Sequence, residues 1–277
     1  MEQISSKWLA SYLGGIIGVL GSFVVFCADH HHHWDWYLIS FLWWFIACRL
    51  IMQIVGLHKY WAHNSFDTGP IREWILTWGC ILCGTGSPYN WAVHHRHHHK
   101  HTDTDKDIHS PTTSTFTQSF FITWMFKPNK WWRDKKISLK HKDLLSNKKV
   151  MHIHKYYHHY WFALVIATLI IDWRITLFFV LQPVGLNMLM SGINNHLSHT
   201  DIIPKSYKNY EQKDNSHNLP GWTNLLLLGE GYHHNHHHAP WKYDNADKPG
   251  EWDLSGWVIR TFFDIHRGKL GSDYKRY

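Results

Sequence analysis

The apolar residues of this chain come in blocks. Trp8 to Cys27 runs twenty residues without a charge, and at helical rise that matches the roughly 30 Å hydrocarbon core of a bilayer. Trp34 to Leu57 is a second block of twenty-four residues, interrupted only by Asp35 near its start and by Arg49. It overshoots the hydrocarbon, so its far end is expected to stand in water. A third block, Tyr160 to Ile171, is followed by Asp172-Trp173-Arg174 and then by a fourth, Ile175 to about Ile193. This pair reads as a tight transmembrane hairpin with the charged triplet as its turn. The pattern predicts an all-α integral membrane protein with four transmembrane helices at about 8–27, 34–57, 156–171 and 175–193, in one domain over 1–277.

The segments between the spans are polar, with two apolar interruptions. Ile71 to Cys83 is Trp-rich but only thirteen residues long before Gly84-Thr85-Gly86-Ser87-Pro88 breaks it, so it is expected to lie at the interface or fold back. Trp124, Trp131 and Trp132 beside Lys127, Lys130 and Arg133 read as a second interfacial stretch. From Trp252, the mixture of Trp257, Val258, Ile259, Phe262 and Phe263 with Arg260 and Arg267 predicts an amphipathic helix.

Charge sets the expected orientation. Segment 58–155 carries fifteen of the twenty-eight lysines and arginines and the tail from His196 carries ten, whereas loop 28–33 has none. The positive-inside rule puts 58–155 and 196–277 on the cytoplasmic side as a helical cap, and four spans put both termini there too. Lys7 precedes the first block without a small-residue cleavage site, which reads as a retained helix. The net charge of +7 fits attraction to anionic headgroups, with no nucleic acid partner expected. Cys27 and Cys48 lie in spans, and the single Cys80-x-x-Cys83 sits in an apolar stretch, so packing is the expected role of all four cysteines.

Histidine carries the candidate chemistry. There are twenty-seven, and neutral imidazole suits zinc, copper, iron and nickel, so residue type alone does not name the metal. Spacing is more informative. His95-x-x-His98-His99 and His233-x-x-His236-His237 are two copies of HxxHH. On a helix, positions i, i+3 and i+4 share a face while the adjacent pair diverges by about 100°, so one such face can feed two neighbouring metals. Two faces supply six nitrogens, more than one tetrahedral zinc accepts. His58 and His63 stand at the mouth of the second span. Asn195 and His199, at i and i+4, lie just past the fourth.

The boxes HKYWAH (58–63), HRHHH (95–99) and HHNHH (233–237), with HRHHHKHTDTDKDIHSP, DNSHN (214–218) and GEGYHHNHHHAP (229–240) around them, resemble the membrane acyl-CoA desaturases of the stearoyl-CoA type. With the four-span layout the resemblance covers nearly the whole chain. It implies a dinuclear iron centre, two ferrous ions using dioxygen, with nine histidine ligands: His58, His63, His95, His98, His99, His199, His233, His236 and His237. Asn195 is implied to act through a water. The asparagine one turn earlier favours His199 over the neighbouring His196 as ligand.

Other histidines read as a solvated loop (His30 to His33), as neighbours of the boxes (His94, His97, His101, His234, His238) or as interfacial polarity (His152, His154, His158, His159). Asp103, Asp105, Asp107 and Glu230 read as carboxylates that orient ligand imidazoles. The implied activity removes two hydrogens from an unactivated methylene pair of a fatty-acyl chain borne by CoA, carrier protein or lipid. A dry, apolar tunnel is expected to hold the chain beside the metals. The chain shows no haem-attachment, iron–sulfur or GxGxxG motif, so a separate electron donor of cytochrome b5, rubredoxin or ferredoxin type is expected. The rivals are a membrane hydroxylase or acetylenase on the same scaffold and a histidine-rich metal transporter, which needs ionisable residues along its spans.

Overall fold

A computed structural model of the chain describes residues 6–31, 33–107, 109–113, 115–116 and 139–266. His32, Arg267 and the expected interfacial stretch around Trp124, Trp131 and Trp132 lie outside the described residues. Among the described residues the structure is helical, and the only strand-like pairings are isolated bridges of Asn218 with Tyr207 and Tyr232. The principal helices are α1 (Ser6–Ala28), α2 (Trp34–Ala62), α3 (Pro70–Trp78), α4 (Pro88–His101), α5 (Lys148–Ile171), α6 (Trp173–His199), α7 (His233–His238) and α8 (Leu254–Val258, continued over Ile259–Phe263).

Three of these are long and apolar enough to cross a bilayer: Leu9–Ala28 within α1, α2 and α6. The expected third span falls in α5, which has 24 residues but opens with lysines and histidines as far as His159. Only its second half is apolar, so by length and composition the described helices supply three spans where four were expected. Asp172 breaks α5 from α6 as expected, taking the Arg174 backbone N–H at 2.8 Å and the Arg174 guanidinium at 2.5 Å.

The outer faces of these helices are bare and apolar, with Phe23, Leu38 and Ile170 all well exposed. Side chains of this kind are stable facing lipid tails. Contact between α1 and α6 depends on glycine: a methyl group at Gly18 would strike the Leu181 backbone, and one at Gly185 the Gly15 carbonyl. Small residues let two backbones approach where no hydrophobic drive holds helices together. Polar bonds then tie α2 to α6, with Trp43 Nε1 donating to the Phe179 carbonyl at 3.0 Å and Trp44 Nε1 to Asn187 Oδ1 at 3.1 Å.

Two departures from regular α-helix matter for the site. From Trp43 to Ala62, α2 is wound loosely with i→i+5 hydrogen bonds, and His63 N–H still reaches the His58 carbonyl at 3.2 Å. Residues five apart, about 140° apart on an α-helix, then stand nearly above one another. The segment expected at the interface, 71–83, becomes α3 plus a short turn Cys80–Cys83 packed on α2. Ile71 and Trp74 point outward while Cys80 and Cys83 are buried and free, with Cys83 Sγ donating to the Cys48 carbonyl.

Candidate metal centre

The three boxes reach one place by different local means. In α2 the loose winding puts His58 and His63 on one side. Ser87 caps α4 by accepting the Asn90 N–H at 3.2 Å, and Pro88 occupies the first turn, where a missing N–H costs nothing. The last two turns of α4 carry His95, His98 and His99. Helix α7 follows Gly229, whose positive φ turns the chain so tightly that a side chain there would strike Asp253. His199 ends α6.

Nine histidines form two groups in which the nitrogens of each group lie within 4.8 Å of one another. His58, His63, His95, His99 and His236 make the first, and His98, His199, His233 and His237 the second. Each HxxHH helix divides its histidines. The i, i+4 pairs His95/His99 and His233/His237 stay together, while His98 and His236 turn to the other group, as their angular offset requires. In the first group Nε2 atoms face each other in a chain: His63 to His95 at 2.8 Å, His95 to His99 at 3.0 Å, His99 to His236 at 3.0 Å and His236 to His58 at 2.9 Å. In the second, His233 Nε2 is 3.0 Å from both His199 and His237 Nε2.

Four carboxylates stand behind the rings at Nδ1. Glu230 lies 2.7 Å from His58, Asp107 2.9 Å from His98, Asp103 3.0 Å from His199 and Asp214 3.4 Å from His237. A carboxylate there fixes the tautomer with hydrogen on Nδ1 and leaves a lone pair on Nε2. Burial would raise the Glu230 carboxyl, but the charge and hydrogen bond of His58, with Lys59 and Arg49, bring it down to about 2. Burial opposes and His199 enforces a lowering at Asp103, as His237 does at Asp214. Burial holds His63, His95, His99, His233 and His236 well below the ordinary imidazole range. It takes His237 to about 3 despite Asp214.

These groups fit metal ions. Lone pairs aimed at each other across 3 Å repel, and a cation among them removes the conflict. His98 Nε2 is buried without a hydrogen-bond partner. The first group alone offers five nitrogens, more than the four that a tetrahedral zinc accepts.

Asp105 corrects the sequence reading. It is exposed on the turn after α4, where the positive φ of Asp103 swings Asp103 and Asp107 inward and leaves Asp105 outside. Asp214 takes the fourth place instead, and only its position in DNSHN hinted at it. His196 packs on Phe116 outside both groups. Asn195 is buried at the second group and donates to the His109 carbonyl at 2.7 Å. Lys59 was not expected to matter, yet it is wholly buried, with Nζ 3.4 Å from His236 Nδ1 and in contact with Asn245 Oδ1.

The surplus histidines serve the scaffold. His234 bridges Ser216 and Tyr210 with its two ring nitrogens, His238 stacks on Tyr210 at 3.7 Å, His97 meets the Lys106 carbonyl at 2.9 Å and His94 the Asn90 carbonyl at 2.9 Å. His154 bonds Ser87 and His152 bonds Tyr160, both away from the groups, and His33 bonds Asp29 on the first loop.

A cavity of about 50 Å³ opens between the groups, bordered by His58, His95, His98 and His233. Trp91 and Ile54 give it apolar wall, and Arg49, Gln53, Ser191, Asn194, Asn195 and Glu230 bring polar groups to it.

Residues 34–246 match the model of the fatty acid desaturase family. The chain is 28% identical over 224 residues to an acyl-CoA Delta-12 desaturase of Tribolium castaneum, covering 77% of this chain and 61% of that protein. It is 26% identical over 205 residues to a probable chloroplastic lipid desaturase of Arabidopsis thaliana (70% and 52%). It is 27% identical over 231 residues to the sn-1 stearoyl-lipid 9-desaturase of Anabaena variabilis (82% and 78%). The chain thus spans between half and three-fifths of the length of the first two relatives. A family match over most of the chain, carried through the three histidine boxes that the fold brings together, means that this chain belongs to the fatty acid desaturase family.

Proposed function

We propose that the chain is an oxygen-dependent desaturase that introduces a cis double bond into a fatty-acyl chain. The observation that carries the reading is the division of nine convergent histidines into two adjacent groups. Two ferrous ions are the proposed occupants, one held by His58, His63, His95, His99 and His236, the other by His98, His199, His233 and His237, with Asn195 reaching the second through a water. Their chemistry with dioxygen supplies the oxidising power that no side chain has. Overall, –CH2–CH2– plus O2, two electrons and two protons gives –CH=CH– and two waters. The electrons are proposed to come from a separate donor of cytochrome b5, rubredoxin or ferredoxin type.

The chain's own residues position and insulate. Glu230, Asp107, Asp103 and Asp214 hold four imidazoles with Nε2 turned inward, and Lys59 braces His236 from behind. Trp91, stacked on His95 with ring centroids 4.6 Å apart, closes the first group from the side. Burial favours the neutral, metal-ready form of His63, His95, His99, His233, His236 and His237.

The relatives' names place the substrate on CoA in one case and on a lipid in two, and both carriers are candidates here. We further propose four spans, counting the apolar half of α5, with the metal centre and both termini on the cytoplasmic side. The test is expression in a host of known lipid profile, with mass spectrometry of new acyl species and metal analysis of the purified protein. The reading requires new unsaturated chains and about two irons per chain; active protein with stoichiometric zinc and no iron refutes the di-iron assignment. A hydroxylated product in place of an alkene moves the chain to the hydroxylase branch of the same chemistry.

A further inference from the structure

The ends of α1, α2 and α6 that lie farthest from the histidines enclose a cavity of about 430 Å³. The first loop and the turn before α6 form its rim, through Asp29, Asp35 and Arg174. On the inner wall Trp36 and Tyr37 both stand against Phe178, with ring centroids 6.2 and 5.6 Å away. The rim charges do not cancel. Arg174 donates from Nε and Nη2 to Asp172 at 3.0 and 2.5 Å, and this pair is neutral by itself. The His33 backbone N–H, the Tyr37 hydroxyl and the His31 N–H hold the Asp29 carboxyl well below the usual carboxylate range. His33 Nδ1 stands 3.0 Å from Asp29 but brings a charge only when protonated. Asp35 takes part in no hydrogen bond or ion pair among the described residues. The rim is therefore negative at neutral pH.

The cavity continues as a groove. Tyr37 and Phe178 also border a second space of about 270 Å³ between α1, α2 and α6, and Val19 joins that to a third of about 190 Å³ between α1 and α6. The lining positions Tyr12, Ile16, Val19, Phe23 and Phe26 recur at three- and four-residue spacing, so the second and third spaces follow one face of α1. From Tyr12 to Ala28 is about 24 Å of helix. Half of a bilayer with its head groups is about 20–22 Å thick, so the groove has the length of one lipid. Its lower end stops short of the chemistry, because Leu189 precedes His199 by about 15 Å of α6.

The chemistry of the rim selects the head group. Aromatic faces beside carboxylates attract an ammonium, whereas a metal ion needs converging ligand atoms, and among the described residues only the two histidine groups converge in threes or more. Arg174 Nη1 remains to meet a phosphate. The exposed rings of Trp34 and Trp173 stand at the same end, as expected at the level of lipid head groups.

We propose that α1, α2 and α6 hold one phospholipid in the leaflet opposite the metal centre, its ammonium head at Asp29, Asp35 and Trp36 and one chain in the groove. The site does not rest on the desaturase reading. Choline and ethanolamine heads share the required chemistry, as does a head group free of any chain.

Native mass spectrometry of the purified full chain in non-ionic detergent, titrated with lipids of identical chains, tests this. Wild type should bind one phosphatidylcholine or phosphatidylethanolamine per chain at least about ten-fold tighter than phosphatidylglycerol, which has the phosphate but no ammonium. The tighter of the two identifies the head. Phosphocholine without chains should bind at least about ten-fold weaker than the lipid, since it leaves the groove empty; equal binding makes the occupant a free head group and overturns the lipid assignment. Asp35→Asn, at an exposed position with no partner to lose, should reduce the preference over phosphatidylglycerol by roughly two- to five-fold, as loss of an exposed ion pair does. Asp29→Asn combined with it should erase the preference. Equal affinity of wild type for all three lipids, or tighter binding of phosphatidylglycerol, overturns the proposal without any variant. A preference that survives intact in both Asp35→Asn and the double variant overturns it as well.

Discussion

Replacing Asp107 by Asn tests whether the two histidine groups are separate metal sites. Both Asp107 oxygens approach His98 Nδ1, at 2.9 and 3.0 Å, and the same carboxylate accepts the backbone N–H groups of Asp103 and His109, each at 2.9 Å. Asparagine keeps the size and one acceptor oxygen but loses the charge. A hydrogen bond to a charged group contributes about 1.5–3 kcal/mol, and at about 1.4 kcal/mol per factor of ten that is roughly a 10–150-fold loss of affinity. This agrees with the 10–100-fold typical of outer partners of metal ligands. The loss should fall on the second group, because His98 belongs to it alone. Glu230→Gln should weaken the first group in the same way through His58. The assay is metal content after equilibration against a graded chelator, with thermal unfolding of metal-free protein as the fold control. Each variant should release one metal early and keep the other. Release of both metals in one step from either variant, or an unchanged release curve, refutes the assignment of carboxylates to separate sites.

Three further outcomes are expected. His199→Ala should abolish product and lower metal content, while His196→Ala, which alters a side chain packed on Phe116 outside both groups, should leave both near wild type; the reverse result means the end of α6 is read in the wrong register. Burial holds His237 down to about 3, far below the 6.5 of an exposed imidazole, but Asp107 raises its group neighbour His98 above that value, so protons compete for the second group first at His98. The first group, whose His63, His95, His99 and His236 are all held well below 6.5 by burial, should therefore keep its metal to lower pH than the second, and earlier release from the first group contradicts this. In the metal-free fold the lowered His237 contributes stability that is present above 6.5 and fades as pH falls toward 3, because the unfolded chain takes the proton first. Gly18→Leu should lower the unfolding midpoint, since the added carbons meet the Leu181 backbone and overpacking costs about 1–3 kcal/mol or more; an unchanged midpoint means that α1 and α6 are not held at that crossing.

What the sequence made legible was the part governed by local spacing. The i, i+3, i+4 pattern of both HxxHH boxes carries its own geometry, and the adjacent members do part toward different groups. The turn at Asp172 and the glycine break after Cys83 were legible for the same reason. His58 and His63 were found as a box, but on a regular α-helix they diverge, and nothing in HKYWAH announces the loose winding that turns both inward. Asp214 and Lys59 escaped because their partners, His237 and His236, are distant in sequence; proximity along the chain favoured Asp105, which the backbone at Asp103 turns outward. Arg49 was legible as a lone charge in a span. Its cavity was not, because the Ser191 wall and the histidines other than His58 come from other helices.

The crowding of polar residues in HHNHH has a structural cause that spacing alone does not give. A helix as short as α7 does not hold itself together, since isolated helices below about 12 residues are marginal in water, so every side must be anchored by something else. His233 and His237 face the second group and His236 the first. His234 is bonded to Ser216 and Tyr210. Asn235 turns to the remaining side, accepting from Asn209 and Asn218 and donating to the Asn245 carbonyl and Glu251. No face is left for an apolar residue, which is why the box contains none. The polar excess that looks like a metal store from composition is thus largely a scaffold. The same Asn245 that receives Asn235 also receives Lys59, so the first box, the third box and the loop beyond α7 position one another, and the histidines of both boxes are held from behind by protein groups before any metal binds.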